Sequence, residues 1–395
     1  MTDLDPGLMD FLANSQAGLE DETPVWVPEV FGFERGYNQL ADVIVQSADG
    51  ADLNRMWREF QRSLVIFNRE RDPLLNMITF DVTNPVERVM QPSTEDFEAA
   101  SEFGVPKGVR IGKPFNLGYG FKWWDIAARY TFDFLLEADR QQIQAVNRTV
   151  IDAGRRLYFQ QVFKRLFNNV NDTATINEQA VNVYALYNND GTVPPTFETN
   201  TFLSTHNHYV TSGAATIDPG DLAQIEDDLN AHGYRYDLGY ELILFVNRQE
   251  GSVIRTFVAG TASSRYTFLN NPNYVPGGIV LPQNGGIIGQ PGMTLPQQIG
   301  TWGPFKIVEM SLIPAGYVLG TASGGEQNIG NLVGVRVHQR PEVQGLTLVQ
   351  GPRQDYPLTD SYYRFGFGTG IRHRGAGYVM QITASGSYTI PTLYQ

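Results

Sequence analysis

Apolar and polar positions follow several distinct periods along this chain, and each period predicts an element. Between 51 and 67, Leu53, Met56, Trp57, Phe60, Leu64 and Phe67 recur at spacings of three and four, which predicts a short helix. The strongest pattern runs from Asp133 to Asn168, a stretch without Pro and with the single glycine Gly154. Ile143, Val146, Val150, Ala153 and Leu157 step by 3, 4, 3, 4, and Phe159, Val162, Phe163, Leu166 and Phe167 then widen the stripe. Asp133, Glu137 and Asp139 stand at its start and Lys164 and Arg165 at its end, in the sense the helix dipole favours. At about 1.5 Å per residue such a helix runs roughly 50 Å, and its narrow stripe suits a helix laid across a sheet.

Further elements follow a polar, Asn-rich stretch (168–200). Asp218-Pro219-Gly220-Asp221 opens a second helix, with Asp218 as N-cap, Pro219 at the first helical position and Gly233 as the stop. ELILFVN (241–247) reads as a fully buried strand, and Gln249 to Val258 as a short helix, so this part is an α+β layer arrangement. Residues 275–304 are rich in Gly and Pro turns and read as a long loop system. From 305 onward strand-like runs dominate: FKIVEMSLI, NLVGVRVH, YVMQIT and SYTIP. No period of 20–50 residues repeats, which argues against solenoids and propellers.

Two stretches cannot bury themselves. Residues 1–50 mix acids with scattered apolar residues such as Phe11, Trp26, Phe31 and Phe33, and read as an arm that needs something to lie on. In 82–122, Val86, Arg88 and Met90 face Val109, Ile111 and Pro114 across the polar insert STEDFEAASEFGVPKG, the pattern of a long hairpin. Such a hairpin either folds back on its own domain or reaches onto another chain.

Composition narrows the choice of function. The chain has 395 residues, with 42% apolar but only 18% charged residues, 40 Gly, 22 Pro and 47 aromatics. Low charge with many aromatics suggests wide uncharged surfaces of the kind that neighbouring chains cover. With no cysteine there is no disulfide framework, thiol nucleophile or Cys-ligated metal site. The N-terminus has neither the basic nor the apolar region of a secretory signal, and no stretch reaches 18 apolar residues, so a soluble, intracellularly made chain is expected. Net charge is −13, of which −9 falls in residues 1–50, where ten acids face the single base Arg35. That balance disfavours tight sequence-independent DNA binding.

Candidate chemistry is sparse. His206 and His208 form an H-x-H pair whose rings reach one side of a strand, but the spacing of His232, His338 and His373 implies no third ligand, and structural histidines are expected. Glu226, Asp227 and Asp228 read as a solvated helix face. No P-loop spacing surrounds Lys113, where Pro114 takes the Ser/Thr position. Gly366, Gly368 and Gly370 read as backbone that something approaches closely. Arg140, Arg148, Arg155, Arg156 and Arg165 make a weak cationic strip along the long helix. No catalytic, cofactor or metal residue is assigned, and the chain does not read as an enzyme.

The order of parts resembles the major capsid proteins of tailed bacteriophages, the Hong Kong 97 fold: acidic N-terminal arm, long hairpin, long spine helix, α+β domain, and a late return of strands. The closing stretch YYRFGFGTGIRHRGAGYVMQITASGSYTIP (362–391) is similar to the ends of capsid proteins from phages of actinobacteria, mycobacterial phages among them. The resemblance implies an N-arm (1–50), a linker with a short helix (51–81) and an extended loop overlapping an adjacent subunit (82–122). It then implies a peripheral domain with the spine helix (123–214), an axial domain (215–345) with its loop near 282–300 at the capsomer axis, and a return to the peripheral domain (346–395).

By the same resemblance, the chain self-assembles into hexamers and pentamers of an icosahedral head that encloses double-stranded DNA. Expected subunit contacts are Trp26, Phe31, Phe33, Arg88, Lys107, Arg110, Lys113, Arg148, Arg155, Arg364, Arg372 and Arg374. Expected partners are a separate scaffolding protein, a portal, a decoration protein and the packaged DNA in loose contact, with assembly in the bacterial cytoplasm and no membrane. Some members join subunits through a loop lysine and a late asparagine. Lys107 and Lys113 offer the donor, but no Asn follows Asn331, so no crosslink is expected, nor is cleavage of an N-terminal scaffold. The competing classes are an encapsulin-like cargo shell and, more remotely, a carbohydrate-active or carbohydrate-binding protein.

Overall fold

The computed structural model describes residues 47–69, 73–89, 104, 115–127, 134, 137–176, 178–271, 297–349, 362–384 and 386–395. These fall into two compact units. Helix α1 (Leu53–Arg69) and the four-residue α2 (Pro73–Asn76) are followed by strands β1 (Thr79–Val82), β2 (Val86–Val89), β3 (Phe115–Gly118) and β4 (Lys122–Ile126). The long helix α3 (Arg140–Phe167) leads to β5 (Asp172–Ile176), β6 (Gln179–Val183) and β7 (Tyr209–Thr211). Next come α4 (Pro219–Ala231), β8 (Glu241–Val246) and α5 (Arg248–Ile254), then β9 (Phe268–Asn270), β10 (Gln297–Trp302), β11 (Phe305–Glu309) and β12 (Tyr317–Ser323). The chain closes with β13 (Val333–Arg336), β14 (Gly345–Val349), β15 (Tyr362–Ile371) and β16 (Gly377–Gln381).

The smaller unit takes residues 1–61, 128–147 and 350–361. Its described part is the start of α1, with Leu53, Met56, Trp57 and Phe60 buried as their spacing requires, and the start of α3. The periodicity placed the long helix from Asp133, yet α3 begins at Arg140. A capping box sets that start: the Gln142 amide donates to the Asp139 carboxylate (2.8 Å) and the Asp139 amide donates to Gln142 Oε1 (3.1 Å). The helix is therefore 28 residues, about 42 Å.

Among the described residues the larger unit holds two large sheets and two two-stranded ones, β2–β3 and β5–β6. One large sheet has five strands: β1 pairs parallel with β13, and β13 pairs antiparallel with the second half of β15. The first half of β15 runs between β14 and β4, antiparallel to both. The other large sheet has seven strands in the order β7-β16-β12-β8-β11-β10-β9. Its centre is β8, parallel to β11 and antiparallel to β12, with five of its six residues buried. Residues 362–371 and 377–381, only six positions apart, thus serve different sheets.

An aromatic row on α3 packs against both large sheets. Tyr158 meets Phe367 of β15 edge-on at 5.3 Å, Phe163 meets Phe245 of β8 at 5.9 Å, and Phe167 stacks on Tyr394 at 5.3 Å. Burying each such ring stabilises the fold by roughly 1.5–3 kcal/mol. Helix α4 covers the seven-stranded sheet through Leu222, Ile225 and Leu229, all fully buried, and Gly320 of β12 leaves the room that Ile225 occupies. Its start is as read from sequence: Asp218 and Asp221 form a reciprocal capping box around Pro219, and Gly233 adopts φ +86° beyond its end.

Several sequence expectations need correction. The Asn-rich stretch carries a hairpin, β5–β6, turned through Glu178 at φ 66°. β12 (YVLGTAS) is a fully buried strand without any alternation to announce it. SYTIP (387–391) is not a strand; Tyr388 instead donates from its hydroxyl to the Phe167 carbonyl at the end of α3 (2.7 Å). Residues 297–302 of the expected loop system form β10. The base of the long hairpin pairs 86–89 with 115–118, Val86 opposite Gly118 and Arg88 opposite Asn116. Met90, Val109, Ile111 and Pro114 lie outside the described residues, as does the arm up to residue 46.

The close approach expected at Gly366, Gly368 and Gly370 is present. Alternate residues share one face of β15, and there a Cβ on Gly366 would enter the Trp123 ring, one on Gly370 would meet Tyr119, and one on Gly368 would land on the Gly120 carbonyl. Gly368→Ala should therefore destabilise the chain by more than about 3 kcal/mol, because backbone rather than a flexible side chain must move. Gly386→Ala, where a Cβ meets nothing, should leave the urea midpoint unchanged. Equal midpoints for the two variants would disprove this packing.

Candidate assembly surfaces and a three-histidine cluster

The expected contact residues separate into distinct groups. Trp26, Phe31, Phe33, Lys107, Arg110 and Lys113 lie outside the described residues. Arg88 is exposed on β2, and Arg148 is exposed on α3 with Asp152 one turn on at 3.9 Å. Arg155 is half-buried and lines an apolar hollow with Phe67, Tyr158 and Phe365.

The remaining three are committed within their own chain. Arg364 lies over the Trp123 ring at 4.1 Å and meets Asp125, its register partner on β4, at 3.4 Å. Arg372 pairs with Glu87 at 2.7 Å and donates to the Ile329 carbonyl at 2.9 Å. Glu87 also accepts from the Tyr119 hydroxyl (2.8 Å), which burial and this carboxylate hold well above the usual phenol range.

Arg374 is turned furthest inward, with 3% of its surface exposed. Its guanidinium donates to the carbonyls of Ala185 (2.8 Å) and Leu186 (3.1 Å) and to the Asp190 carboxylate (2.7 Å), and it lies over Tyr187 at 4.7 Å. An arginine so enclosed organises the loop after β6 and has no face left for a neighbour.

Of the three acids expected to form a solvated face on α4, Asp227 is exposed as expected, whereas Glu226 is buried and Asp228 half-buried. Glu226 accepts from the Tyr266 hydroxyl (3.1 Å), Asp227 takes both Arg265 nitrogens (2.7 and 2.6 Å), and Asp228 bonds Tyr378 of β16. Burial raises the carboxyls of Glu226 and Asp228 despite these partners. Glu226 and Asp228 fasten the helix, while Asp227 stays on its solvated side.

His206 and His208 converge, as their spacing suggested, and the fold adds a third ring. His232, the C-cap of α4, brings its Nε2 to 2.9 Å from that of His206 and 3.0 Å from that of His208, and the first two stand 2.8 Å apart. His208 is fully buried, with Nδ1 at 2.6 Å from the Gly377 carbonyl of β16. His232 is stacked on Phe202 at 4.1 Å, with rings within 2° of parallel, and faces Tyr187 at 5.7 Å on a tilt of 11°. Burial holds all three rings below the ordinary histidine range, His208 far below it and His232, also beside His206, at about 3. These three nitrogens could hold one metal ion. The sequence held a signal for the pair only, since nothing in the spacing from 208 to 232 places the end of α4 over the 206–208 segment.

Removing Arg374 should be costly. Arg374→Ala takes the guanidinium away from two buried carbonyls and from the Asp190 carboxylate, an expected loss of about 3–5 kcal/mol by urea unfolding at pH 7. Burial alone would raise the Asp190 carboxyl, but Arg374 and Asn171 hold it below the ordinary value. The ion pair's stabilisation is thus complete above the unfolded pKa of about 3.9 and lost as pH falls through the lowered folded value. The gap between wild type and variant should narrow below about pH 4; a gap independent of pH would refute the ion pair's role.

No protein-family model and no curated protein matches the chain. Solved structures do. A chain from Mycobacterium phage Patience is 38% identical, covers 91% of this chain and 98% of its own length, and superposes with a TM-score of 0.67. The capsid of a native GTA particle is 10% identical over 79% of this chain and 90% of that one, TM-score 0.43. The mature capsid of bacteriophage PhiM1 is 12% identical over 78% and 86%, TM-score 0.41. Of these three, the Patience chain is close enough to carry kinship, and it extends over nearly the whole of both chains. The chain belongs to the major capsid proteins of tailed bacteriophages, the shell-forming proteins of the Hong Kong 97 fold.

Proposed function

We propose that this chain builds a DNA-filled phage head as hexamers and pentamers, without enzymatic activity of its own. Residues 1–50 act as the arm and 82–122 as the loop that overlap adjacent subunits. Residues 123–214 with 346–395 form the peripheral part, and 215–345 the axial part. The observation that carries this reading is the 38% identity along 91% of the chain with a protein of Mycobacterium phage Patience.

Physical features support it. Exposed apolar side chains include Val65 (66%) and Ile66 (54%) on α1 and Leu203 (75%) before the histidine cluster, surface of the kind a closed shell covers. The net charge of −13 favours only loose contact with packaged DNA. A separate scaffolding protein, a portal and a decoration protein complete the assembly in the bacterial cytoplasm. Subunits stay free of isopeptide links, since no Asn follows Asn331.

Expression with its scaffold should yield closed particles by light scattering and electron microscopy, filled with nuclease-protected DNA after infection. Particles that hold cargo protein in place of DNA would sink the genome-enclosing reading. The double variant Val65→Asp, Ile66→Asp should cut particle yield at least tenfold while circular dichroism of the subunit stays unchanged. Undiminished yield would remove this face of α1 from the contacts.

A further inference from the structure

We propose that His206, His208 and His232 form a structural site for one divalent transition-metal ion of the zinc class. The nitrogens form a nearly equilateral triangle with edges of 2.8, 2.9 and 3.0 Å. An ion about 2.05 Å from nitrogens about 2.9 Å apart subtends angles of about 90°, and widening the triangle to about 3.3 Å gives the tetrahedral angle. Either arrangement needs only small ring movements.

Protons alone do not satisfy this triangle. His208 Nδ1 stands 2.6 Å from the Gly377 carbonyl and must donate to it, so the neutral ring presents a bare lone pair at Nε2. If one other ring carries its proton on Nε2, two lone pairs face each other along the third edge. If both do, two N–H groups collide along theirs. In every neutral arrangement one edge sets like poles about 3 Å apart. A cation at the centre of the three lone pairs removes the conflict on all edges at once.

The surroundings are those of a built metal site. The Gly377 carbonyl fixes the tautomer and direction of His208, the role outer partners play around ligating histidines. Phe202 and Tyr187, both nearly parallel to His232, set its plane. Three imidazoles without a carboxylate suit zinc, cobalt, nickel or copper and not calcium or magnesium, which take oxygen ligands. The nearby positive charge of Arg374 is balanced by Asp190 at 2.7 Å. His206 and His232 are only partly buried, which leaves a side open for water as a further ligand. The ion would tie the segment before β7 to the end of α4.

The test uses the full untagged chain, purified, stripped with chelator and titrated with zinc sulfate or cobalt chloride. One equivalent of zinc should bind, the melting temperature should rise, and cobalt should give visible d–d absorption. His206→Gln, which removes the half-buried ligand, should weaken zinc binding at least about 100-fold, while its metal-free melting temperature matches that of the stripped wild type. Stripped wild-type chain that stays folded yet takes up less than about a tenth of an equivalent would overturn the site. So would equal affinity in the His206→Gln chain. Neither result touches the shell-forming reading, whose test is particle assembly.

Discussion

Large aromatic side chains on one helix must reach two sheets at once, and much of the larger unit depends on that constraint. Tyr158 meets β15, while Phe163 and Phe167, five and nine residues further along, meet β8 and the Tyr317–Tyr394 cluster. A helix is the only element stiff enough to hold such rings at a set spacing over that span. The strands then have little freedom: β8 is buried across its length because α3 and its neighbours in the sheet leave it no solvent edge. Strand β15 must be thin where other backbone crosses it, so Gly366, Gly368 and Gly370 stand in line.

Polar groups inside this frame are tied rather than solvated. Arg374, Arg372 and Glu226 each find partners far away in sequence, and burial makes those partners necessary. Their work is to hold loops against sheets. A shell protein needs this rigidity, since small errors in one subunit's shape would multiply around a closed lattice of copies. The three-histidine cluster belongs to the same pattern, joining two segments that no strand pairing connects.

Much of the fold was legible because local chemistry and global packing agree. The helix stripes, the Asp218-Pro219 start, the buried ELILFV strand and the close approach at the alternating glycines all declare themselves within a few residues. The capsid resemblance rested on the order of such parts, and kinship with the Patience chain supports it. Elements without local contrast were not legible. β12 is Gly-, Thr- and Ala-rich with no alternation, and β5 and β6 sit in polar sequence, so only their neighbours make them strands.

By itself, then, the sequence determined the helices and the buried ELILFV strand, because periodicity and capping act over one or two turns, while the fold class and family came from resemblance in the order of such parts. Tertiary structure alone decided which side chains are committed inside the chain. It turned Arg374 inward, away from any neighbour, and it carried His232 from the end of α4 to the His206–His208 pair. Contacts of that kind depend on where elements dock, and docking is set by packing between residues tens or hundreds of positions apart, which no local spacing records.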